Sequence, residues 1–174
     1  MSQINGIVAD TPDKIRGERC ELLIFEEAGS WGGLRKAVVQ GEALVNILGT
    51  RFGYKVIGGT GGDSGSELEG LRDIYTNPID YSVLPFRHHF TPTGEETLSG
   101  YFLPAYSLVL SPGYMDDRGW CDPEKCKAFH EEQRLRLVNN PKAFIEYCAE
   151  YCFTAEEAFA LEGNNKFNQI NIAD

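Results

Sequence analysis

Apolar positions in the first half of the chain alternate between short unbroken runs and stripes of helical spacing. Leu22-Leu23-Ile24-Phe25 lies between Glu21 and the pair Glu26-Glu27. With no polar side to offer water, it predicts a short strand buried on both faces. Leu34, Val38, Val45 and Leu48 follow at helical spacing and predict an amphipathic helix in spite of Gly41. Tyr54-Lys55-Val56-Ile57 predicts a second strand that runs straight into Gly58-Gly59-Thr60-Gly61-Gly62. Leu68, Leu71, Ile74 and Tyr75 mark the apolar face of a second helix. Asn77-Pro78 stops it, because proline lacks the N–H a helix needs and its ring clashes with the preceding turn.

Beyond residue 80, segments 81–86 and 101–110 read as extended, with the turn-rich 91–99 between them. The last third reads as helical. Asp122-Pro123 and Asn140-Pro141 each place an N-cap before a proline at the first helical position. Thr154-Ala155-Glu156-Glu157 has the form of a capping box. Strand, helix, strand, helix and then mostly helix is an α/β chain with a helical tail. A shift in composition over 90–120 marks the expected subdomain boundary.

Composition narrows the function classes. The chain has 174 residues, enough for one core plus a small appendage. Its 26 acidic against 16 basic residues give a net charge of −10. Unassisted binding to a nucleic-acid backbone needs clustered Lys and Arg, and no such run exists. No stretch approaches the ~20 apolar residues that span a bilayer. The N-terminus has no basic region leading into an apolar one, so no secretory signal is expected. Five cysteines in no regular framework predict reduced thiols in a cytosolic compartment.

Candidate chemistry is concentrated where the first strand ends. Glu26 and Glu27 are adjacent carboxylates at its carboxyl end, an arrangement that can divide metal binding from proton abstraction. A solvated acidic turn is the alternative. The glycine-rich 58–65 stretch would let backbone amides approach a phosphate. It is no Walker A loop, because the chain contains no Gly-Lys pair. It lacks the third glycine of a dinucleotide fingerprint as well, and a flexible connection after the strand is the plainer reading. Cys121, Cys126, His130, Cys148 and Cys152 could supply zinc ligands, but small buried thiols explain them equally well. His88-His89 reads as a surface pair, and Trp31 and Trp120 as packing residues.

Taken in order, these pieces resemble the large terminase subunit of tailed bacteriophages. The resemblance rests on Arg16-Gly17-Glu18-Arg19, the segments 22–29 and 57–63, Gly100-Tyr101-Phe102-Leu103-Pro104-Ala105-Tyr106 and the segment 149–159. It covers most of the chain. That family is similar to an ATP-driven motor that packs viral DNA into an empty capsid, with a separate nuclease. The resemblance implies that Phe25-Glu26-Glu27 is a Walker B motif. Glu26, where many members carry Asp, would hold magnesium, and Glu27 would be the catalytic base. Gly59-Thr60 would be the motif coupling hydrolysis to movement, with Thr60 sensing the terminal phosphate. Arg16 would be an arginine finger reaching a neighbouring subunit's nucleotide, a device worth roughly 10³ to 10⁵ in rate. An ordinary surface arginine is the alternative, and Arg19 is a rival. Glu156 and Glu157 are assigned to a helix cap.

The departures shape the expectation. About 20 residues precede the Walker B strand, too few for the Walker A half, and the nuclease's acidic cluster is absent. The expected fold is therefore α/β: a partial P-loop NTPase sheet of the ASCE type lacking its Walker A strand, followed by a mainly helical subdomain. Residues 1–95 would be the C-terminal half of the ATPase domain and 96–174 a lid-like helical linker before a missing nuclease. ATP and magnesium are implied for the intact parent, with no tight binding expected here. The implied partners are the missing N-terminal ATPase segment, the terminase small subunit, the portal and double-stranded DNA, in the cytoplasm of a bacterial host. No membrane association is expected. The absent strand leaves a sheet edge open to self-association. A non-catalytic binding or assembly module, or a prophage remnant, is the alternative function; a small metal-dependent enzyme is a third.

Overall fold

A computed structural model describes residues 3–8, 11–15, 17, 19–60, 66–109 and 113–160. Its first unit is a two-stranded parallel sheet. Strand β1 (Leu22–Phe25) pairs with β4 (Tyr54–Ile57) in the register Leu22 to Tyr54 through Phe25 to Ile57. Parallel strands need a crossover. Here it consists of helix α1 (Leu34–Val45) and a small antiparallel ladder of β2 (Asn46–Ile47) with β3 (Thr50–Arg51).

Period-two alternation decides what this sheet buries. The odd positions Leu23, Phe25 and Ile57 turn toward α1 and join a core of Ile15, Phe25, Ala28, Leu34, Ala37, Val38 and Ile74. Gly41 permits the close approach, because a Cβ there would meet Leu23 Cδ2 at 2.7 Å and Phe25 Cζ at 3.2 Å. The glycine that weakens α1 as an isolated helix thus lets it lie against the sheet. Lys55, also odd, is drawn inward but not left unpaired. Its Nζ lies 2.7 Å from Glu42 Oε2 and donates to the Tyr81 carbonyl oxygen at 3.0 Å. Burial works against the Glu42 carboxylate, yet the bond and charge of Lys55, with Arg51, hold its pKa below the ordinary value.

The even positions form the opposite face, and the strand reading needs correction there. Leu22, Ile24, Tyr54 and Val56 are 52%, 60%, 70% and 50% exposed. The sheet is buried on one face only, since no second layer of the described residues covers the other.

Helix α2 (Ser66–Thr76) contributes Leu68 and Ile74 to the interior and stops before Asn77-Pro78 as its sequence predicts. A short 3-10 turn, Pro78–Tyr81, follows. The Tyr81 hydroxyl donates to Asp73 at 2.5 Å. That bond holds the Asp73 carboxyl below its usual range. Burial and the same bond push the Tyr81 phenol up to about 12.

The segment 81–86 is extended only at its end. Strand β5 (Phe86–His88) pairs antiparallel with β6 (Thr97–Ser99). The stretch from residue 101 is not a strand: it carries a 3-10 turn at Ala105–Ser107. Residue 110 lies outside the described residues.

Helices α3 (Pro123–Leu137), α4 (Pro141–Glu150) and α5 (Ala155–Ala158) complete the order. All three caps form as read. Asp122 accepts from the Glu124 and Lys125 amides, Asn140 from Ala143 and Thr154 from Glu157. The Glu157 carboxylate accepts from the Phe153 amide at 2.6 Å and takes both ends of Arg134 at 2.9 and 2.8 Å. Arg134 lies 3.7 Å over the Phe153 ring. The helical region meets the first unit where Tyr75 packs on Phe159 and where the Gly100 amide donates to the Tyr75 carbonyl oxygen at 2.7 Å.

Candidate functional site

The parallel pairing brings the carboxyl ends of β1 and β4 together, and with them four of the sequence candidates. Two bonds stitch the ends. The Gly58 amide donates to the Phe25 carbonyl oxygen and the Ala28 amide to the Gly58 carbonyl oxygen, both at 3.0 Å. Glu26 and Glu27 are therefore set beside Gly58-Gly59-Thr60, and the side chains of Glu26, Glu27 and Thr60 are exposed. Gly59 has a steric reason to be glycine. A Cβ there would meet the Ala28 amide nitrogen at 2.8 Å and the Gly29 amide nitrogen at 3.1 Å.

Glu27 does not continue the strand. Its φ of 53° and ψ of 36° are left-handed, a conformation costing a non-glycine residue about 1 kcal/mol. Strain of this kind gathers at functional turns. Here it turns the chain from β1 into the 3-10 turn Ala28–Ser30. The two carboxylates are thus parted by a change of backbone region. Below them Phe25 is buried and meets Trp31 edge to face at 5.7 Å, which anchors the turn from beneath. Trp31 is the packing residue expected.

Magnesium takes one or two carboxylates and fills its remaining positions with waters and phosphate oxygens. Glu26, with Glu27 adjacent, fits that modest demand. A self-contained metal cage is a different matter: among the described residues no three His, Cys, Asp or Glu side chains converge on one. The zinc grouping of Cys121, Cys126, His130, Cys148 and Cys152 accordingly does not assemble. Arg16 and positions 61–65 of the glycine-rich stretch lie outside the described residues.

Two polar networks were not read from sequence. His88 is buried rather than part of a surface pair, while His89 is exposed. The Phe90 amide donates to His88 Nδ1 at 3.2 Å, so that nitrogen is unprotonated and Nε2 carries the proton. Nε2 lies 2.7 Å from Ser99 Oγ and 2.9 Å from the Tyr75 hydroxyl, while Ser99 donates to the Gly100 carbonyl oxygen at 2.9 Å. The trio forms a bracket between α2, β5 and β6. Register could have signalled it, since His88 faces Thr97 across the ladder, on the same side as Ser99.

The second network centres on His130, which is buried and bonded through Nδ1 to the Tyr147 hydroxyl at 2.8 Å. Tyr151 stacks on it at 5.3 Å and Phe153 meets it edge-on at 6.2 Å. Burial first, and the Arg134 cation second, depress the His130 pKa. Burial likewise depresses that of His88, with Glu156 opposing. Trp120, at 75% exposure, is not the packing residue its sequence reading suggested.

Comparison with known proteins adds no assignment: the chain matches no family model, no curated protein and no solved structure. Among the described residues no helix is long and apolar enough to cross a membrane.

Proposed function

We propose that this chain carries the acidic half of a nucleotide-hydrolysing site and works in a phage terminase motor, driving viral DNA into procapsids. The observation that carries the reading is the left-handed Glu27 at the end of a parallel strand buried on one face, beside the Gly59-Thr60 stretch of its neighbour. On this reading Glu26 would hold magnesium, directly or through water. Glu27 takes the proton from the water that attacks the terminal phosphate. Thr60 contacts that phosphate, and Gly59 lets the neighbouring turn lie close. Arg16 serves a neighbouring subunit's nucleotide. The two parallel strands belong to a P-loop-type sheet whose phosphate-binding strand and lysine come from another segment, because this chain has no Gly-Lys pair. The small subunit, the portal and double-stranded DNA are the further partners, in the cytoplasm of a bacterial host.

The exposed face of Leu22, Ile24, Tyr54 and Val56 supports this reading, because parallel sheets are ordinarily covered on both sides. The same face favours a second reading, a non-catalytic assembly module in which Glu26 and Glu27 form only an acidic turn. ATP turnover separates the two. The chain is combined with a companion segment carrying Gly-x-x-x-x-Gly-Lys-Ser/Thr, and wild type is compared with Glu27→Gln. Loss of a general base lowers turnover by about 10²–10⁴-fold, with the fold retained by circular dichroism. Equal turnover in the two proteins removes the catalytic assignment and leaves the assembly module.

A further inference from the structure

Helix α3 opens with Asp122 as N-cap and Pro123 at its first position. Cys121 is then the residue before the cap and Cys126 the fourth inside the helix. These are the two positions that an apolar staple joins at a helix start, and here both are thiols. The Cys121 thiol donates to the Val109 carbonyl oxygen at 3.7 Å. Burial first, and the neighbouring Cys121 thiol second, raise the Cys126 pKa. The backbone on either side is pinned. Cys121 bridges to Met115, the Asp122 amide donates to the Tyr114 carbonyl oxygen at 2.9 Å, and the Cys126 amide donates to the Asp122 carbonyl oxygen at 3.0 Å. Cys126 is buried and Cys121 partly exposed, so an oxidant reaches Cys121 first.

We propose that Cys121 and Cys126 form a reversible oxidation site, closing under peroxide to an intramolecular disulfide that makes the staple of α3 covalent. The Cys121 sulfur, as thiolate, attacks hydrogen peroxide. The O–O bond breaks, Cys121 becomes a sulfenic acid and, with one proton taken up, one water leaves. The Cys126 sulfur then attacks the Cys121 sulfur. The S–S bond forms, the S–O bond breaks, and hydroxide leaves with the Cys126 proton as a second water. Two thiols lose two electrons, and one peroxide accepts them. A small dithiol reverses the step by exchange.

Cys148 and Cys152 are poor competitors. Burial pushes the Cys148 and Cys152 thiols up to about 11, which keeps them protonated. Burial, with Cys121 beside it, also raises Cys126, which suits the resolving partner and leaves Cys121 to meet the oxidant. This site is independent of the nucleotide-hydrolysis reading.

The test treats the full chain with one equivalent of hydrogen peroxide, alkylates it and maps peptides by mass spectrometry. The expected product is one linked pair carrying Cys121 and Cys126, two hydrogen atoms lighter and restored by dithiothreitol. Hydrogen exchange of the amides from Tyr114 to Cys126 should slow on oxidation. Cys121→Val keeps an apolar staple, so its reduced exchange pattern should match wild type while the response to peroxide disappears. A link confined to Cys148 and Cys152, or both staple thiols alkylated separately after oxidation, overturns the proposal. So does a Cys121→Val protein that still responds to peroxide in this segment.

Discussion

The β1–β4 layer and the α3–α5 region handle their apolar side chains in opposite ways. In the helical region the rings of Tyr147, Tyr151 and Phe153 close around His130, and Arg134 crosses to Glu157 with its charge matched and its ring contact made. His130 Nδ1 and both Nη atoms of Arg134 have named partners, while Arg134 Nε is buried with none among the described residues. In the β1–β4 layer the odd positions are finished to the same standard, while the even positions hold four apolar side chains against water. One region packs its rings around a shared centre, and the other leaves one face of its sheet open. Helices can bury a stripe against one another, but a parallel sheet needs a layer on each side.

The sharpest way to break this contrast uses adjacent residues of one strand. Phe25→Ala removes a ring from the buried face and should cost about 3–5 kcal/mol in urea unfolding. Ile24→Ala, one residue away on the open face, should change stability by no more than about 0.5 kcal/mol. Comparable losses from the two would mean that the even face is covered in solution, for instance by a second copy.

A smaller effect should separate the regions by pH. His88 and His130 are neutral in the fold, and burial depresses both below their ordinary value of 6.5. The unfolded chain therefore binds protons first as pH falls. The sign follows: stability is complete above pH 6.5 and declines as pH drops through the folded values. Below that window, protonation of Glu42 and Asp73, whose pKa values are lowered, removes a further contribution. All three histidines of the chain lie outside residues 19–60. Between pH 7.5 and 5.5, hydrogen exchange corrected for its intrinsic rate should accelerate in α3, α4 and the β5–β6 ladder and hold steady in β1 and β4. Equal loosening in both regions would mean that they open as one unit.

The features legible in the sequence were those set by local chemistry. Asp122, Asn140 and Thr154 cap helices because each offers an oxygen to free amides one turn on, and Pro78 ends α2 for want of an N–H. The two strands and the helix between them were legible too, from two apolar runs with a helical stripe between them. What each strand faces was not legible. Leu22-Leu23-Ile24-Phe25 is apolar at every position, so periodicity carries no information about which side lacks a cover. His88 illustrates the same limit: its burial depends on Tyr75 and Ser99, 13 and 11 residues away. At the site, Glu26 and Glu27 stood out as adjacent acids, but the left-handed turn at Glu27 belongs to the fit of Ala28 against Gly58 and Gly59.

The central claim is that the even face of β1 and β4, ending in Glu26, Glu27 and Thr60, is one half of a layered site. Hydrogen exchange of the amides in 22–25 and 54–57 tests it directly, measured for the chain alone and with the companion segment carrying the lysine loop. The account predicts that the strands exchange faster than α3 in the chain alone and become strongly protected when the segment binds. Strands already as protected as α3 in the monomeric chain, and unchanged by the segment, would contradict it.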